Sequence, residues 1–357
     1  MTLFDSLKPK ILRLEEKSPR LWRAALSPAA LAYGGVLRLR ASLYGAGILR
    51  KRRLQGTVIS VGNLTVGGTG KTPMVLWLAN RLLAEGRRPA ILTRGYRGGM
   101  QADAAGTPRS DEVALLRERL EGRAQLGVGK DRYLTGKMLE RHGAEWFILD
   151  DGFQHLALER DVDIVMIDST DPFGGGRLLP AGRLREPRAA LARADIIVIS
   201  RTEHAPALEA MLRRFTTRPV FYAQAELTEI LRAPAMQVAL PVDRTRVKFF
   251  AFCGIGNPGA FFYDLRRWAF PVVGERTFED HHRYSEGDVS ALERDAIASG
   301  AEALICTEKD VFNFRESLPG TLPVYVCRVQ LVVFDAEAFW NAILESVRRR
   351  RPSKVTE

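Results

Sequence analysis

The sequence predicts an α/β protein built on a mainly parallel sheet with helices on both faces. A second, smaller α/β lobe and a basic, apolar N-terminal helical segment complete it. Three observations carry that reading. Short apolar runs of strand length alternate with helical stretches from residue 57 onward. A glycine-rich turn ending in Lys71-Thr72 joins the first such strand to the helix after it. Charge and apolarity are concentrated together before residue 54.

The N-terminal segment, residues 1–53, holds twelve Lys/Arg against Asp5, Glu15 and Glu16, a net of +9. Residues 348–357 add a net of +4, so the chain's formal +11 belongs to its two ends and the part between is nearly neutral. That distribution argues against a basic nucleic-acid face. The arginine run 348–351 reads as a frayed, solvated helix end. AALSPAALAYGGVL, between Arg23 and Arg38, is too short to span a bilayer and is interrupted by Pro28 and Gly34-Gly35. Apolar stretches carrying Trp22, Tyr33 and Tyr44, fenced by arginine, suit helices lying at an anionic membrane surface. The alternative is that they pack on the body and show a basic face to water. Cys253, Cys306 and Cys327 have no paired spacing, which fits buried small residues in a reducing compartment.

Residues 54–227 form the first lobe. TVISVGN (57–63) reads as a buried strand, followed by a helix over 71–84 that ends at Gly86. PAILTRG (89–95) is the next strand, and 111–120 and 131–141 are helical. WFILDD (146–151), DIVMID (163–168), DIIVIS (195–200) and PVFYAQAEL (219–227) are further strands. Their near-continuous apolarity is that of parallel strands covered on both faces. Residues 228–246, with Pro234 and Pro241, look like a linker. Residues 247–357 form the smaller lobe, with strands near 272–278, 303–307 and 323–328 and a last helix over 336–349 that can pack on either lobe.

TVGGTGKTP (65–73) departs from the strict phosphate-loop pattern G-x-x-x-x-G-K-[ST], because Thr65 stands at the first glycine position. The context is nevertheless the required one, a strand before and a helix after. Gly67, Gly68 and Gly70 can present backbone N–H groups to phosphate oxygens, and the helix N-terminus adds a favourable dipole. Lys71 supplies charge to the β/γ-phosphates and Thr72 a hydroxyl for Mg²⁺. Pro73 is tolerated in a first turn, where N–H groups lack intrahelical partners. Glycine spacing, Lys-Thr and context together favour a P-loop NTPase-like nucleotide site over a ligand-free turn. Asp150-Asp151 end a strand as a Walker-B segment does. No Asn-Lys-x-Asp motif is present, and TEKD (307–310) has its lysine one place late, which disfavours a GTPase.

These residues resemble a known family. SVGNLTVGGTGKTP (60–73), LDDGFQH (149–155), LLPAGRLREP (178–187), FEDHHRY (278–284) and TEKD (307–310) look like the tetraacyldisaccharide 4'-kinase family, the lipid A 4'-kinases of Gram-negative bacteria. The motifs occur in that family's order, and Thr65 belongs to the family's own version of the loop. The resemblance implies ATP-dependent phosphorylation of the 4'-hydroxyl of an acylated glucosamine disaccharide 1-phosphate, at the cytoplasmic face of the inner membrane. It implies that Thr65, Val66, Gly67, Gly68, Thr69, Gly70, Lys71 and Thr72 bind the nucleotide. It makes Asp111 the catalytic aspartate, polarised by His281. Thr72, Asp150, Asp151 and Glu186 would hold or organise Mg²⁺. Arg185 would face phosphate, and Gln154 and His155 would line the site.

The residues agree in type with that chemistry. Phosphoryl transfer needs positioning, neutralisation of charge and a group to take the hydroxyl proton, and a His–Asp pair can do the last near neutral pH. By spacing alone, Asp111 reads rather as a helix cap, His281-His282 as a polar loop and His155 as a core histidine, and it is the motif match that reverses this for Asp111 and His281. Arg177, Arg183, Arg185 and Arg188 crowd one Gly/Pro-rich loop, as an anionic headgroup would require. Two rival functions stay open at this level: a kinase or ATPase for a soluble small molecule, and a non-enzymatic nucleotide-binding module that docks on membrane or RNA.

Overall fold

The computed structural model describes residues 19–95, 110–238, 245–314 and 320–351, with side chains from residue 24 onward. Residues 1–18 and the Trp22 side chain, part of the expected N-terminal segment, lie outside them. A helix α1 (Pro19–Gly45) comes first. The first lobe follows as β1 (Thr57–Asn63), α2 (Lys71–Ala84), β2 (Pro89–Thr93), α3 (Asp111–Leu120), β3 (Gln125–Val128), α4 (Arg132–Arg141), β4 (Trp146–Asp150), β5 (Val162–Asp168), β6 (Ile196–Ser200), α5 (Pro206–Leu212) and β7 (Val220–Arg232). After a short β8 (Gln237–Val238), the second lobe runs β9 (Phe249–Cys253), α6 (Pro258–Arg267), β10 (Val272–Thr277), α7 (Glu286–Ala298), β11 (Ala303–Thr307), α8 (Glu308–Val311), β12 (Val324–Val333) and α9 (Ala336–Arg350).

The twelve strands of the described residues join one sheet in the order β10-β9-β11-β12-β7-β6-β5-β1-β4-β2-β3, with β8 hanging on β7. The short β8 joins β7 antiparallel; otherwise pairing within each lobe is parallel, and the two lobes meet where β12 runs antiparallel to β7. That one reversal positions the site. β6 pairs with the start of β7, Ser200 facing Ala223, whereas β11 pairs with the start of β12, Thr307 facing Cys327. In the β7–β12 ribbon Ala223 faces Val333 and Cys327 faces Ile230, so the two pairings lie at opposite ends. The carboxyl ends of both lobes' strands therefore point at each other across the middle of the ribbon. Carboxyl ends of parallel strands are where open α/β sheets bind ligands, and here two such edges share one cleft.

The ribbon also revises the expected linker. Residues 228–232 are the second half of β7, not a connector, because their backbone groups pair with β12. β3 escapes the sequence reading; four residues at the sheet edge, one of them fully buried, carry little apolar pattern. Other strands are read correctly for a physical reason: β1, β5 and β6 are buried along their whole length. The three cysteines are buried.

α9 packs back on the first lobe. Phe339, Trp340, Ile343 and Val347 enter the core that contains Met74 and Leu78 of α2, and Phe339 meets Trp77 and Phe221 at 5.3 and 5.2 Å between ring centres. The arginines that end it, and Arg351 after it, are not a frayed end. Arg351 is buried, its Nε 2.7 Å from Asp161 Oδ1 and its Nη2 donating to Leu54 O, and Arg350 pairs with Asp195 at 3.0 Å. Asp161 also takes the Val58 amide at 2.8 Å, so burial there comes with a complete set of partners.

α1 is one continuous helix of 27 residues through Pro28 and Gly34-Gly35, where the sequence suggests interruptions. Gly34 is a contact, not a break: a Cβ there would come within 2.8 Å of the Leu178 side chain. Tyr33 donates to Arg185 O and Arg40 to Gln154 O, so this face of α1 lies on the loops beside the cleft. The other face exposes Leu31, Val36 and Leu39, each more than 60% accessible. Among the described residues no helix is long and apolar enough to cross a membrane.

Candidate active site

The glycine loop enters the cleft from β1 and opens α2. Left-handed backbone falls at Gly67 (φ 131°) and Gly70 (φ 85°), while Thr65 takes an ordinary conformation. A first glycine is therefore not needed. Thr65 is instead built into the body: its carbonyl accepts from Asn63 Nδ2 at 2.8 Å and it bridges to Leu184. The Val66 amide donates to Arg183 O, the Arg185 amide to Leu64 O, and Ser200 Oγ to Thr69 O. Arg183 itself is held by Asp171 at 2.6 Å.

The cleft that this loop borders encloses about 280 Å³. Residues 66–72 line it, with Asp150, Asp151, Arg185, Glu112, His281 and Lys309 among the polar groups. Ala225, Cys327, Val329 and Leu331 of the ribbon contribute to its wall. Lys71 Nζ lies 3.5 Å from Asp151, whose carboxylate receives Arg185 Nη1 on both oxygens at 2.7 and 2.8 Å. Burial alone would raise the pKa of Asp151, but the Arg185 and Lys71 charges outweigh it and hold the carboxyl far below the ordinary range. Asp150 goes the other way. Burial, then the charges of Glu112 and Asp151, push it up to about 7.

Asp111 and His281 come from different lobes and meet at the cleft. His281 Nδ1 lies 2.8 and 2.9 Å from the two Asp111 oxygens. Ser110 occupies the cap position of α3, and Asp111 is its first helical residue, its Oδ1 also accepting from the Glu112 amide. Burial opposes charge on both partners. The hydrogen bond to Asp111 and the Asp280 charge nevertheless raise the pKa of His281 above 6.5, and His281 together with Lys309 lowers that of Asp111 below 3.8. Lys309 bonds Glu112 at 2.9 Å beside them.

The other expected residues stand behind this front. Gln154 donates to Asn63 O and accepts from Arg185 Nη1 at 3.3 Å, so it braces the arginine. His155 is not among the residues lining the cleft; burial and then the charges of Arg132, Arg160 and Arg40 push its pKa down to about 4. Glu186 is buried and also off the cleft, with its two carboxylate oxygens receiving Arg193 at 2.8 and 3.1 Å. The fold adds residues that the sequence does not single out. Asp168, at the end of β5, accepts from Asn257 of the second lobe at 3.0 Å and from Arg201 at 2.9 Å, and Arg201 reaches Asp264. The available signal is position: Asp168 and Arg201 stand at the carboxyl ends of two strands.

Comparison with known proteins identifies this arrangement. A family described as tetraacyldisaccharide-1-P 4'-kinase matches residues 22–348. A tetraacyldisaccharide 4'-kinase of Geobacter sulfurreducens is 40% identical over 330 residues, covering 88% of this chain and 91% of that protein. One of Desulfotalea psychrophila is 36% identical over 333 residues, covering 86% and 92%. The chain belongs to the tetraacyldisaccharide 4'-kinase family. The crystal structure of LpxK from Aquifex aeolicus in complex with ATP superposes with a TM-score of 0.69 at 30% identity, over 91% of this chain and 99% of that one. As a tetraacyldisaccharide 4'-kinase the protein is an ATP-dependent phosphotransferase of lipid A biosynthesis, acting on the 4'-hydroxyl of an acylated glucosamine disaccharide 1-phosphate. The sequence expectation for fold and activity is thus met, and the soluble-substrate and non-enzymatic alternatives fall away.

Proposed function

We propose that the residues of the cleft divide the reaction as follows. Backbone N–H groups of residues 67–72 and the Lys71 ammonium hold the ATP phosphates, with the N-terminus of α2 behind them. Lys71 and Arg185 share Asp151, which keeps both cations at the mouth of the loop. The 4'-hydroxyl approaches from the side of the second lobe, and the Asp111–His281 pair takes its proton. His281 lines the cleft and Asp111 backs it, so the pair acts as one unit. That pairing across the two lobes, opposite the glycine loop, is the observation that carries the assignment.

A magnesium ion fits the donor set. Asp150 is 5% accessible, and its pKa near 7 reflects burial beside Glu112 and Asp151, an excess of carboxylate charge that a divalent cation relieves. Among the described residues no cluster of three or more His, Cys, Asp or Glu is arranged to hold an ion. Mg²⁺ is commonly bound by one or two carboxylates together with phosphate oxygens. Thr72 and Asp150 would hold it, with Asp151 behind. When bound, it neutralises charge on the transferring phosphoryl group. Glu186 is occupied by Arg193 and serves the loop's structure.

The acyl chains of the substrate place the reaction at a membrane, and we assign α1 to that surface. Its exposed Leu31, Val36 and Leu39, with Ile48 and Leu49 after it, form an apolar stretch beside Arg50 and Lys51. Those two cations have no acidic partner among the described residues, unlike Arg52 and Arg53, which pair with Asp131 and with Glu159 and Asp161. The protein then works peripherally at the cytoplasmic face of the inner membrane, with α1 next to Arg185 and Gln154. The test is ATP turnover by the purified protein. It should rise only with the lipid disaccharide and fall about 100-fold or more in Lys71→Ala, whose fold stays intact. Lipid-independent turnover, or a Lys71→Ala variant with unchanged kcat, would remove the assignment of the loop.

A further inference from the structure

The TEKD turn has no part in the scheme above beyond Lys309, yet Asp310 is its most buried residue, with no accessible surface. Four donors converge on its carboxylate. Oδ1 receives the Gly254 amide and the Tyr284 hydroxyl, each at 2.7 Å, and Oδ2 receives the Thr307 hydroxyl at 2.6 Å and the Thr307 amide at 3.1 Å. An acceptor-only carboxylate satisfies all four at once. Tyr284 is fixed on its other sides by Phe314, stacked at 4.7 Å, and by Phe252 at 5.5 Å.

Those donors lead to His281. The Gly254 carbonyl accepts the His281 backbone N–H at 3.0 Å, and Tyr284 ends the same FEDHHRY segment. His281 needs such a hold because its backbone is left-handed, φ 62°, a conformation a non-glycine residue keeps only where its surroundings impose it. Gly254 is a glycine because the segment presses on it: a Cβ would lie 3.0 Å from Glu279 O and 3.1 Å from His282 Cβ. The same short helix serves the other partner through Lys309, which bonds Glu112 next to Asp111, and Asn313 carries its amide to 3.5 Å from Asp111 Oδ2.

We propose that Asp310 is a positioning residue for phosphoryl transfer, fixing Gly254 and Tyr284 so that the left-handed backbone of His281 points its imidazole at Asp111. It touches neither nucleotide nor acceptor and acts through His281. The inference rests on the reading of Asp111 and His281 as the proton-accepting pair.

The test is Asp310→Asn, alone and with His281→Ala. The amide keeps the size but sets a donor against a donor at Thr307 or at Gly254. Alone it should lower kcat by roughly 10-fold to 100-fold and leave KM for ATP within about twofold, since only alignment at the reacting proton is lost. In the His281→Ala background it should change kcat by less than about twofold, because the group it positions is gone. Tyr284→Phe keeps the stacked ring and removes one donor; it should give a smaller loss that also disappears with His281→Ala, and it reads the same question should Asp310→Asn not fold. Leu292→Ala, in the same lobe's core, should lower Tm without lowering kcat. A folded Asp310→Asn with kcat near wild type overturns the proposal, as does a loss that persists undiminished without His281. Wild-type kcat in His281→Ala alone would instead remove the pair itself, and this inference with it.

Discussion

His281 and Asp111 are 170 residues apart in the chain and 2.8 Å apart in the fold, one from each lobe. Neither is prepared for its task alone. The imidazole sits in a left-handed loop, and the carboxylate begins a helix whose cap is a different residue. Their meeting depends on the β7–β12 ribbon, which turns the strand ends of the second lobe toward those of the first.

The first expectation is non-additivity. Asp111→Ala and His281→Ala should each lower kcat by about 100-fold or more, the usual range for a positioned acid–base group. The double variant should lose little beyond the worse single one, as residues acting together do. Steady-state kinetics on the four proteins decides it. Losses that multiply would assign the two residues separate roles, and a loss confined to KM would make them substrate-positioning groups.

The second concerns the charge of the pair. Burial lowers the pKa of His281 and the hydrogen bond to Asp111, with the charges of Asp280 and Asp111, raises it, so Asp111→Asn should lower it while Asp280 still opposes the burial. The sign for stability follows. A raised histidine stabilises the fold fully below 6.5 and loses that contribution as pH rises through its folded value. The depressed Asp111 contributes above 3.8 and loses it as pH falls through its own. The Tm gap between wild type and Asp111→Asn should be widest in mildly acid solution and narrow toward alkaline pH. NMR titration of His281 measures the shift directly, and an unchanged midpoint in the variant would contradict the pairing.

Much of this fold is legible in the sequence wherever burial is complete. β1, α2, α3 and β11 fall where the apolar runs and their boundaries put them, because strands covered on both faces must be apolar throughout. β7 past Leu227 escapes the same reasoning. Thr228 to Arg232 mix polar and apolar residues, only Leu231 is buried, and Pro234 follows, so the stretch has the composition of a linker. The site divides similarly. Lys71 and Asp151 are visible because motif and strand end coincide. The partner of Glu186 is not legible: Arg185 stands next to it in the chain, while the arginine that pairs with it is Arg193, at the end of a short 3-10 helix. Asp168 and Arg201 have only their strand-end positions as a signal, and Asn257 has none, since its bond to Asp168 exists only once the two lobes meet.

His155 supplies a third expectation. Its pKa of about 4 means that the folded state carries it neutral, whereas the unfolded chain takes up a proton near 6.5. A depressed group stabilises above the unfolded value and loses that contribution as pH falls toward the folded one. Wild type should therefore weaken between pH 6.5 and 4 more steeply than His155→Gln. Urea unfolding at several pH values across that window tests it. Equal slopes would mean that the imidazole is solvated and titrates normally.

The membrane surface assigned to α1 has two separable parts. Leu31→Ser with Leu39→Ser removes apolar area at about 25 cal/mol per Å² and should weaken binding to vesicles at every salt concentration. Arg50→Ser with Lys51→Ser removes roughly 1 kcal/mol per charge on anionic vesicles, an effect that fades as salt shortens the screening length. Co-sedimentation with anionic and neutral vesicles across salt distinguishes them. Should the unaltered protein bind neither, α1 would be packing alone.

The last expectation returns to the arginines after α9. Arg351 is the partner of Asp161, whose other oxygen holds the Val58 amide at the entry to the central strand β1. Removing Arg351 leaves the buried Asp161 carboxylate with only the longer contact from the half-exposed Arg53, at 3.4 Å, and strips Leu54 O and Gln55 O of their donor, so Arg351→Ala should destabilise the protein by about 2–3 kcal/mol. It should act at a distance from the cleft, lowering Tm while leaving kcat of the folded fraction unchanged. Arg348→Ala, at an exposed position in the last turn of α9, should shift stability by less than about 0.5 kcal/mol. Arg351→Met, which fills the volume without donors, should not restore what alanine removes, because Asp161, Leu54 O and Gln55 O would still lack their partner. Thermal unfolding of the three variants separates the readings. If Arg348 and Arg351 cost the same, the tail is a solvated basic end, as its composition suggests, and its contacts add nothing.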